Sequence, residues 1–288
     1  MIFLELWSEG GGLLAAMRNR HNLACLGLDP RDGAHLDLSR RSTQRCVLDW
    51  IRTGRVWGIH LRPPCRWWSC ARRGATTSCV KNVSCERSAV AIAMFVAEVV
   101  RLSQRCEVLW SISNPASSSF WGFGPIGTLA GLNGAEWVEF PMCAYGCPYK
   151  KPMRVLTNAT VLRELESVCT HRSHRVRLCG RTKSCSSHLP LWTNRTELAR
   201  DFSRELCSAW ASAISKQAPD CAHGKPSAWI VEWLDELYEA QSYKWASSCR
   251  STLDRPPGLE HLDTETRLQN LGSSRSWHLT GGGTKKAC

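Results

Sequence analysis

The sequence has no hydrophobic run long enough to cross a lipid bilayer. Its longest apolar stretch, AVAIAMFVAEVV at residues 89–100, falls short of the ~20 residues of a transmembrane helix and contains Glu98. The first residues, MIFLELWSEGGG, also lack the basic n-region of a secretory signal, and Glu5 and Glu9 interrupt them. We therefore expect a soluble protein without a membrane partner, in an intracellular reducing compartment, nuclear or cytoplasmic.

The chain is also longer than the small domains in which a disulfide framework normally occurs. It has sixteen cysteines, but disulfide-dense folds are mainly short secreted domains without a sufficient core. With 288 residues and 43% hydrophobic content, it can bury the core of one large α/β domain or two small ones. No internal repeat is visible. We expect mostly free thiols.

Acidic residues are scarce in the first three quarters of the chain. Residues 1–217 contain 29 Lys/Arg, 24 of them arginine, and only 16 Asp/Glu. Residues 218–288 contain eight Lys/Arg and nine Asp/Glu. The formal net charge of +12 therefore comes from the first part. Because guanidinium groups bind phosphates bidentately, a nucleic-acid partner is one hypothesis. A basic coding bias with no such role is the other.

Short apolar runs alternate with helical patterns over the first 160 residues, which predicts parallel α/β units. Strands are predicted at 3–7, 23–28, 56–61, 107–112, 137–142 and 153–158. Helices are predicted at 13–18, 42–51, 84–105, in GPIGTLAGL, at 196–214 and at 228–241. We divide the chain into an α/β domain (1–158), a basic Cys/His-rich segment with a closing helix (159–216), and a helix with a flexible tail (217–288).

A glycine-rich turn, within ELWSEGGG at residues 5–12, connects the first predicted strand to the first helix. Glycines at such a turn let a nucleotide-type ligand approach the backbone closely. Asp29 ends the next strand, where these folds place a carboxylate on ribose hydroxyls. An ordinary tight turn explains the glycines alone, but the order strand, turn, helix, strand, Asp favours a ligand site.

Cys65 follows the third predicted strand in HLRPPCRWWSC, residues 60–70. Open α/β sheets bind ligands at this edge, and nearby arginines favour a thiolate. Because the chain has fifteen other cysteines, a buried packing role is the alternative. The adjacent Trp67 and Trp68 either stack on a base or pack at the rim of the core.

The order of four motifs resembles that of the cytosine-C5 DNA methyltransferases, and most closely their compact relatives in phage and mobile elements. ELWSEGGGL resembles the S-adenosylmethionine loop, PPC the nucleophile motif, SISNP the Glu-Asn-Val or Glu-Asn-Pro motif, and YGCPYKKPMR the basic motif that follows. The likeness covers residues 3–158 well and 160–215 loosely. It implies an α/β fold, an open, doubly wound, mostly parallel Rossmann-like sheet with a small basic Cys/His-rich C-terminal extension.

The resemblance also implies roles for individual residues. The implied catalytic residues are Cys65, Ser113, Asn114, Lys151 and Arg154. The implied S-adenosylmethionine ligands are Leu6, Trp7, Gly10, Gly11, Gly12, Asp29, Asp37 and Pro63. Cys65 would add to C6 of a cytosine flipped out of the stack. The expected partner is nucleic acid, DNA rather than RNA, and we expect a monomer.

Two positions depart from the family's pattern. Ser113 stands where the family has a glutamate, and a hydroxyl cannot hold a proton as a carboxylic acid does. Loss of a positioned acid commonly slows a reaction ~10²- to 10⁴-fold. Glu9 replaces the first glycine of the cofactor loop, where it would crowd or repel the methionine carboxylate. The alternative function is therefore a non-catalytic nucleic-acid-binding remnant of a mobile-element polyprotein.

Cys169, His171 and His174 carry side chains that bind zinc, with Cys179, Cys185 and His188 nearby. Their spacing matches no common zinc finger. The sequence therefore favours a basic, solvated loop without a metal. A zinc-dependent binding module is the other interpretation.

Overall fold

The computed structural model describes residues 1–33, 36–65, 68, 80–174, 176–178, 191–193 and 201–224. All of these belong to one compact unit, Met1–Pro226. Several predictions fall outside the described residues and keep their standing as predictions. They concern the helix at 228–241, Trp67, Cys179, Cys185 and His188.

Within the described ranges, eight strands and five helices have the following bounds. The strands are β1 Ile2–Leu6, β2 Cys25–Leu28, β3 Val56–Leu61, β4 Leu109–Pro115, β5 Glu136–Pro141, β6 Pro152–Thr157, β7 Val176–Leu178 and β8 Leu191–Thr193. The helices are α1 Gly12–His21, α2 Arg41–Arg52, α3 Val80–Arg105, α4 Gly124–Gly127 and α5 Arg204–Ser215. Short 3₁₀ turns include Pro30–Asp32, Ser119–Gly122, Met142–Tyr145 and Thr160–Leu165.

Strands β1 to β6 form one sheet in the order β2-β1-β3-β4-β6-β5. β1 pairs in parallel with β2 and β3, and β3 pairs in parallel with β4. β6 runs antiparallel to both β4 and β5, so five of the six strands share one direction. The chain builds the sheet outward from β1 on both sides, which confirms the predicted open, doubly wound α/β class.

Helices cover both faces of this sheet. On one face, α1 and α5 pack together over Phe3 of β1 and Trp57 of β3. On the other, α2 and α4 pack against α3. All residues of β1 and β3 are buried. Strands buried on both faces appear in a sequence as continuous apolar runs, which is why these elements could be predicted.

Several predicted boundaries are wrong. α3 begins at Val80 rather than at residue 84, and α1 continues to His21 rather than ending at residue 18. α5 begins at Arg204 rather than near residue 196, because the Ser203 hydroxyl accepts the Leu206 N–H and caps the helix there. β4 continues to Pro115 rather than ending at residue 112, because its antiparallel pairing with β6 extends to Met153. In the Cys/His-rich segment, β7 and β8 form a small parallel pair. No helix among the described residues has the length and apolar character that a membrane crossing requires.

Candidate active site

The glycine-rich loop leaves the carboxyl end of β1 in a strained conformation. Trp7, Glu9 and Gly11 have φ angles of 58°, 46° and 64°, in the left-handed region that favours glycine. The backbone N–H of Glu9 donates to Oδ2 of Asp29 at 2.8 Å. The loop of implied cofactor residues is therefore tied to the end of β2, where the resemblance expects the ribose-binding acid.

Asp29 is buried and accepts several hydrogen bonds within its own turn. The backbone N–H of Arg31 donates to Oδ1 at 2.9 Å, and the Arg31 guanidinium donates to both carboxylate oxygens at 3.0 and 3.2 Å. Asp29 is 3% exposed, whereas the Arg31 side chain is 53% exposed. The carboxylate is thus fixed in place, and its guanidinium partner lies on the solvent side.

Arg62 neutralises the carboxylate at the position where the family has a glycine. Its Nη2 donates to Oε2 of Glu9 at 2.8 Å, and its Nη1 lies 3.8 Å from Oε1 of the buried Glu5. The guanidinium carbon also lies 3.9 Å from the centre of the Phe202 ring. Arg62 therefore connects β3, the glycine-rich loop and the segment that precedes α5.

The pKa of the Glu9 carboxyl reflects competing neighbours. Burial raises this pKa above its ordinary value, Arg62 lowers it, and Asp201 raises it again. The Asp201 carboxylate lies 3.4 Å from the position that a Gly10 Cβ would occupy. Glu9 therefore has a buried cationic partner, Arg62, which the sequence did not indicate.

A buried polar cluster lies under α5 in the centre of the sheet. Nδ1 of His60 lies 2.8 Å from Oγ of Ser111, and Nε2 lies 3.2 Å from Oγ of Ser113. The Trp210 ring covers the imidazole, with 4.5 Å between ring centroids. Burial, with help from the charge of Arg62, holds the pKa of His60 well below its usual range, so this imidazole is neutral at pH 7.

Ser113 therefore does not merely lack a carboxyl group. It is 3% exposed, and its hydroxyl bonds an imidazole that the sequence analysis did not single out. The register pairs His60 with Ser111, and Ser113 follows two residues later on the same face of β4. The alternation of strand side chains was the one available signal for this contact.

The turn that carries Cys65 is fixed by hydrogen bonds from two other segments. Nδ2 of Asn114 donates to the Pro63 carbonyl at 3.1 Å, and the N–H of Trp68 donates to the Cys65 carbonyl at 3.0 Å. The Trp68 carbonyl in turn accepts the N–H and the hydroxyl of Ser119, each at 3.0 Å. The Cys65 side chain is half-buried, so the turn presents its thiol at the edge of the sheet.

Two aromatic contacts bear on the neighbouring tryptophan. The Trp68 ring packs edge-on against Phe120, at 5.7 Å between centroids, and lies 5.5 Å from the Phe123 ring. This arrangement agrees with packing at the rim of the core.

Asn114, which holds the Cys65 turn through Pro63, is itself buried, and its Oδ1 has no hydrogen-bond partner among the described residues.

The two implied basic residues occupy different surroundings. Burial lowers the pKa of Lys151, while Cys65 and Glu9 lie near enough to oppose that shift, so Lys151 belongs to the same region as the loop and the thiol. Arg154 instead pairs with Glu139 at 2.5 Å and lies over the Trp137 ring, on the outer strand β5. Only Lys151 is thus brought towards Cys65.

Asp37, one of the implied S-adenosylmethionine ligands, lies before α2. Its Oδ1 accepts the backbone N–H of Ser39 at 2.9 Å, which forms a local turn. Leu36 and Leu38 on either side are buried, so the half-buried Asp37 is held by its neighbours. Its role towards a cofactor stays a prediction.

A second group of reactive side chains lies beyond β5. Cys143 in the turn Met142–Tyr145 meets Cys169, His171 and His174. The last three were predicted from the sequence as candidate zinc ligands, whereas Cys143 was not. No local pattern could have revealed it, because 25 residues separate it from Cys169.

Comparisons with known proteins gave matches among solved structures. No family model matches the sequence, and no curated protein matches it significantly. The chain is similar to a protein described as a DNA modification methyltransferase encoded within an E. coli prophage, with 13% identity, 55% of this chain and 46% of that chain covered, and a TM-score of 0.35.

Two eukaryotic structures match in the same range. The Entamoeba histolytica methyltransferase EhMeth is 12% identical, with 55% of this chain and 52% of that chain covered and a TM-score of 0.33. The S. pombe Dnmt2 methyltransferase is 11% identical, with 60% of this chain and 57% of that chain covered and a TM-score of 0.34. The chain spans about half the length of these three structures.

Proposed function

We propose that the chain binds S-adenosylmethionine at the loop between β1 and α1, binds nucleic acid beside it, and uses Cys65 as the nucleophile for methylation of cytosine C5. One observation carries this proposal. The carboxyl edge of the parallel strands collects the left-handed glycine-rich loop, the buried Asp29 and the Cys65 turn, and this is the edge where open α/β sheets bind ligands.

The residues at this edge fit a nucleoside cofactor. Asp29 offers a buried carboxylate for ribose hydroxyls, and its guanidinium partner Arg31 is exposed enough to give way. Arg62 holds the Glu9 carboxylate and so limits repulsion of a second carboxylate. When bound, S-adenosylmethionine would supply an electrophilic methyl group.

The chemistry of cytosine explains the need for a thiol. C5 is a weak nucleophile, and addition of the Cys65 thiolate to C6 forms a C–S bond and moves an electron pair towards C5. C5 would then take the methyl group, and loss of the C5 proton to solvent with cleavage of the C–S bond would give 5-methylcytosine and regenerate the thiolate. Lys151 lies in the same region as the Cys65 thiol. The target base must leave its stack, which costs least in a single strand.

Ser113 sets the expected rate. Its hydroxyl bonds the neutral His60 and brings no carboxylic acid to the base. We expect turnover ~10²- to 10⁴-fold below that of a site with a positioned acid.

The same hydrogen bond favours a second candidate function, a non-catalytic nucleic-acid-binding protein. The Ser113 hydroxyl is satisfied inside the sheet, so the position contributes to folding without any catalytic role. The arginine excess of residues 1–217 would then act by holding phosphates.

Transfer of tritiated methyl groups separates the two functions. We expect slow transfer to single-stranded DNA by the wild type, none by Cys65→Ser, and unchanged transfer by Cys106→Ser, since Cys106 is an exposed thiol after α3. If neither the wild type nor Ser113→Glu transfers methyl groups to DNA or RNA, while both bind nucleic acid, the second function replaces the first.

A further inference from the structure

Four metal-binding side chains converge at the end of β5. One ligand atom from each of Cys143, Cys169, His171 and His174 lies within 4.8 Å of all the others. Sγ of Cys169 is 3.4 Å from Nε2 of His174 and 3.8 Å from Nδ1 of His171. Among the described residues, this is the one cluster of at least three such groups.

The two sulfur–nitrogen distances match an edge of a small tetrahedron around a zinc ion. With Zn–S distances of ~2.3 Å and Zn–N distances of ~2.0 Å, tetrahedral geometry places a sulfur and a nitrogen ligand roughly 3.5 Å apart. A set of two thiolates and two imidazoles is also the donor set that selects zinc over magnesium or calcium. The 3.4 and 3.8 Å distances bracket that value.

We propose that Cys143, Cys169, His171 and His174 form a structural zinc site. Four protein ligands close the coordination sphere and leave no position for water or substrate, which is the pattern of structural rather than catalytic zinc. The proposal does not depend on methyl transfer. It replaces the solvated loop that the ligand spacing alone favoured, because Cys143 supplies the fourth ligand from a distant part of the chain.

The site would join two segments that already touch. The Tyr145 hydroxyl donates to the Leu165 carbonyl at 2.8 Å, and the Ser167 N–H donates to the Glu139 carbonyl at 3.3 Å. Further along, Tyr149 forms a bridge with Val176. A metal between Cys143 and the 169–174 loop would therefore fasten that loop to the connection that leads from β5 to Lys151.

Metal analysis of tag-free protein purified without added chelator tests the site. We expect close to one zinc per chain and an X-ray absorption spectrum with two sulfur and two nitrogen neighbours. Cys143→Ser and His174→Ala should each lower zinc occupancy at least several-fold. Cys106→Ser and His223→Ala should retain it, since both residues lie outside the cluster.

A variant could lose zinc only because it fails to fold. The wild type is therefore also tested directly with Co²⁺. Strong visible absorption of tetrahedral thiolate-bound Co²⁺, displaced by one equivalent of Zn²⁺, supports the site. Zinc content no higher in the wild type than in Cys143→Ser would overturn it. So would a Cys143–Cys169 disulfide found by mass spectrometry in protein kept under reducing conditions.

Discussion

The hydroxyl of Ser113 lies 3.2 Å from Nε2 of His60, inside the sheet and beneath Trp210. The residue that stands in place of the expected glutamate is therefore part of a hydrogen-bonded pair between neighbouring strands. The position lacks an acid because its residue is serine, and its structural role comes from the contact with His60. The activity of the chain depends on whether the site can catalyse methyl transfer without a carboxylic acid at position 113.

Replacement of Ser113 by glutamate should raise methyl transfer by ~10²-fold, because a carboxylic acid can protonate the base while Cys65 attacks. The larger side chain enters a buried position and should lower the free energy of unfolding by about 1–3 kcal/mol. The matched control is Ser113→Gln, which has the same size without the acid. Equal rates for the two variants would show that no acid acts at this position.

Stability should fall as the solution is acidified below pH 6.5, the ordinary pKa of histidine, because His60 is neutral in the folded state and its pKa there is lowered. The unfolded chain binds the proton first, so each pH unit below 6.5 costs up to about 1.4 kcal/mol until the folded pKa is reached. Urea denaturation at a series of pH values measures this. His60→Gln should flatten the profile relative to the wild type, whereas the exposed His223→Gln should leave it unchanged. Parallel profiles for wild type and His60→Gln would contradict the assignment.

Arg62 and Glu9 should show energetic coupling. Arg62→Met removes the cation between Glu9 and Glu5 and should cost about 2–4 kcal/mol, at the lower end for a broken buried pair because the Glu9 side chain is 21% exposed. In Arg62→Met/Glu9→Gln the loss should be smaller than the sum of the single losses by about 1 kcal/mol or more. A double-mutant cycle from urea unfolding measures the difference. Simple additivity would show that the 2.8 Å contact contributes no coupling.

Removal of zinc by a chelator should destabilise the wild type, because a metal that binds the folded state adds about 2.7 kcal/mol at a hundredfold excess over its Kd. The thermal midpoint should drop on chelation and recover when Zn²⁺ is returned. Cys143→Ser should already have the lower midpoint and respond to neither step. A wild-type midpoint that ignores the chelator, in protein shown to have lost its metal, would contradict a structural role.

The strands of the fold were predictable because each is indicated by the residues of one short segment. β1, β3 and β6 consist mostly of apolar residues, and each lies within about one residue of its predicted bounds. The position of β6 between β4 and β5 was not predicted, since it depends on pairing between distant segments. The start of α5 was wrong by several residues because one side chain, Ser203, caps the helix.

The candidate site likewise has features that the sequence predicts and features that only the structure shows. The glycine-rich loop, Asp29 and Cys65 stand next to strand ends and could be named from their order along the chain. The contacts that alter their chemistry are non-local. Arg62 reaches Glu9 across 53 residues, Ser113 reaches His60 across 53, and Cys143 joins a cluster beyond residue 168. No sequence pattern reports such distances, so these partners became visible only in three dimensions.

Covalent capture tests the central claim most directly. A single-stranded oligonucleotide containing 5-fluorocytosine should trap Cys65 in the presence of S-adenosylmethionine, since fluorine at C5 cannot leave as a proton does. The account predicts an adduct that mass spectrometry maps to Cys65, that forms faster in Ser113→Glu, and that is absent from Cys65→Ser. An adduct on another cysteine, or none in either the wild type or Ser113→Glu, would contradict it.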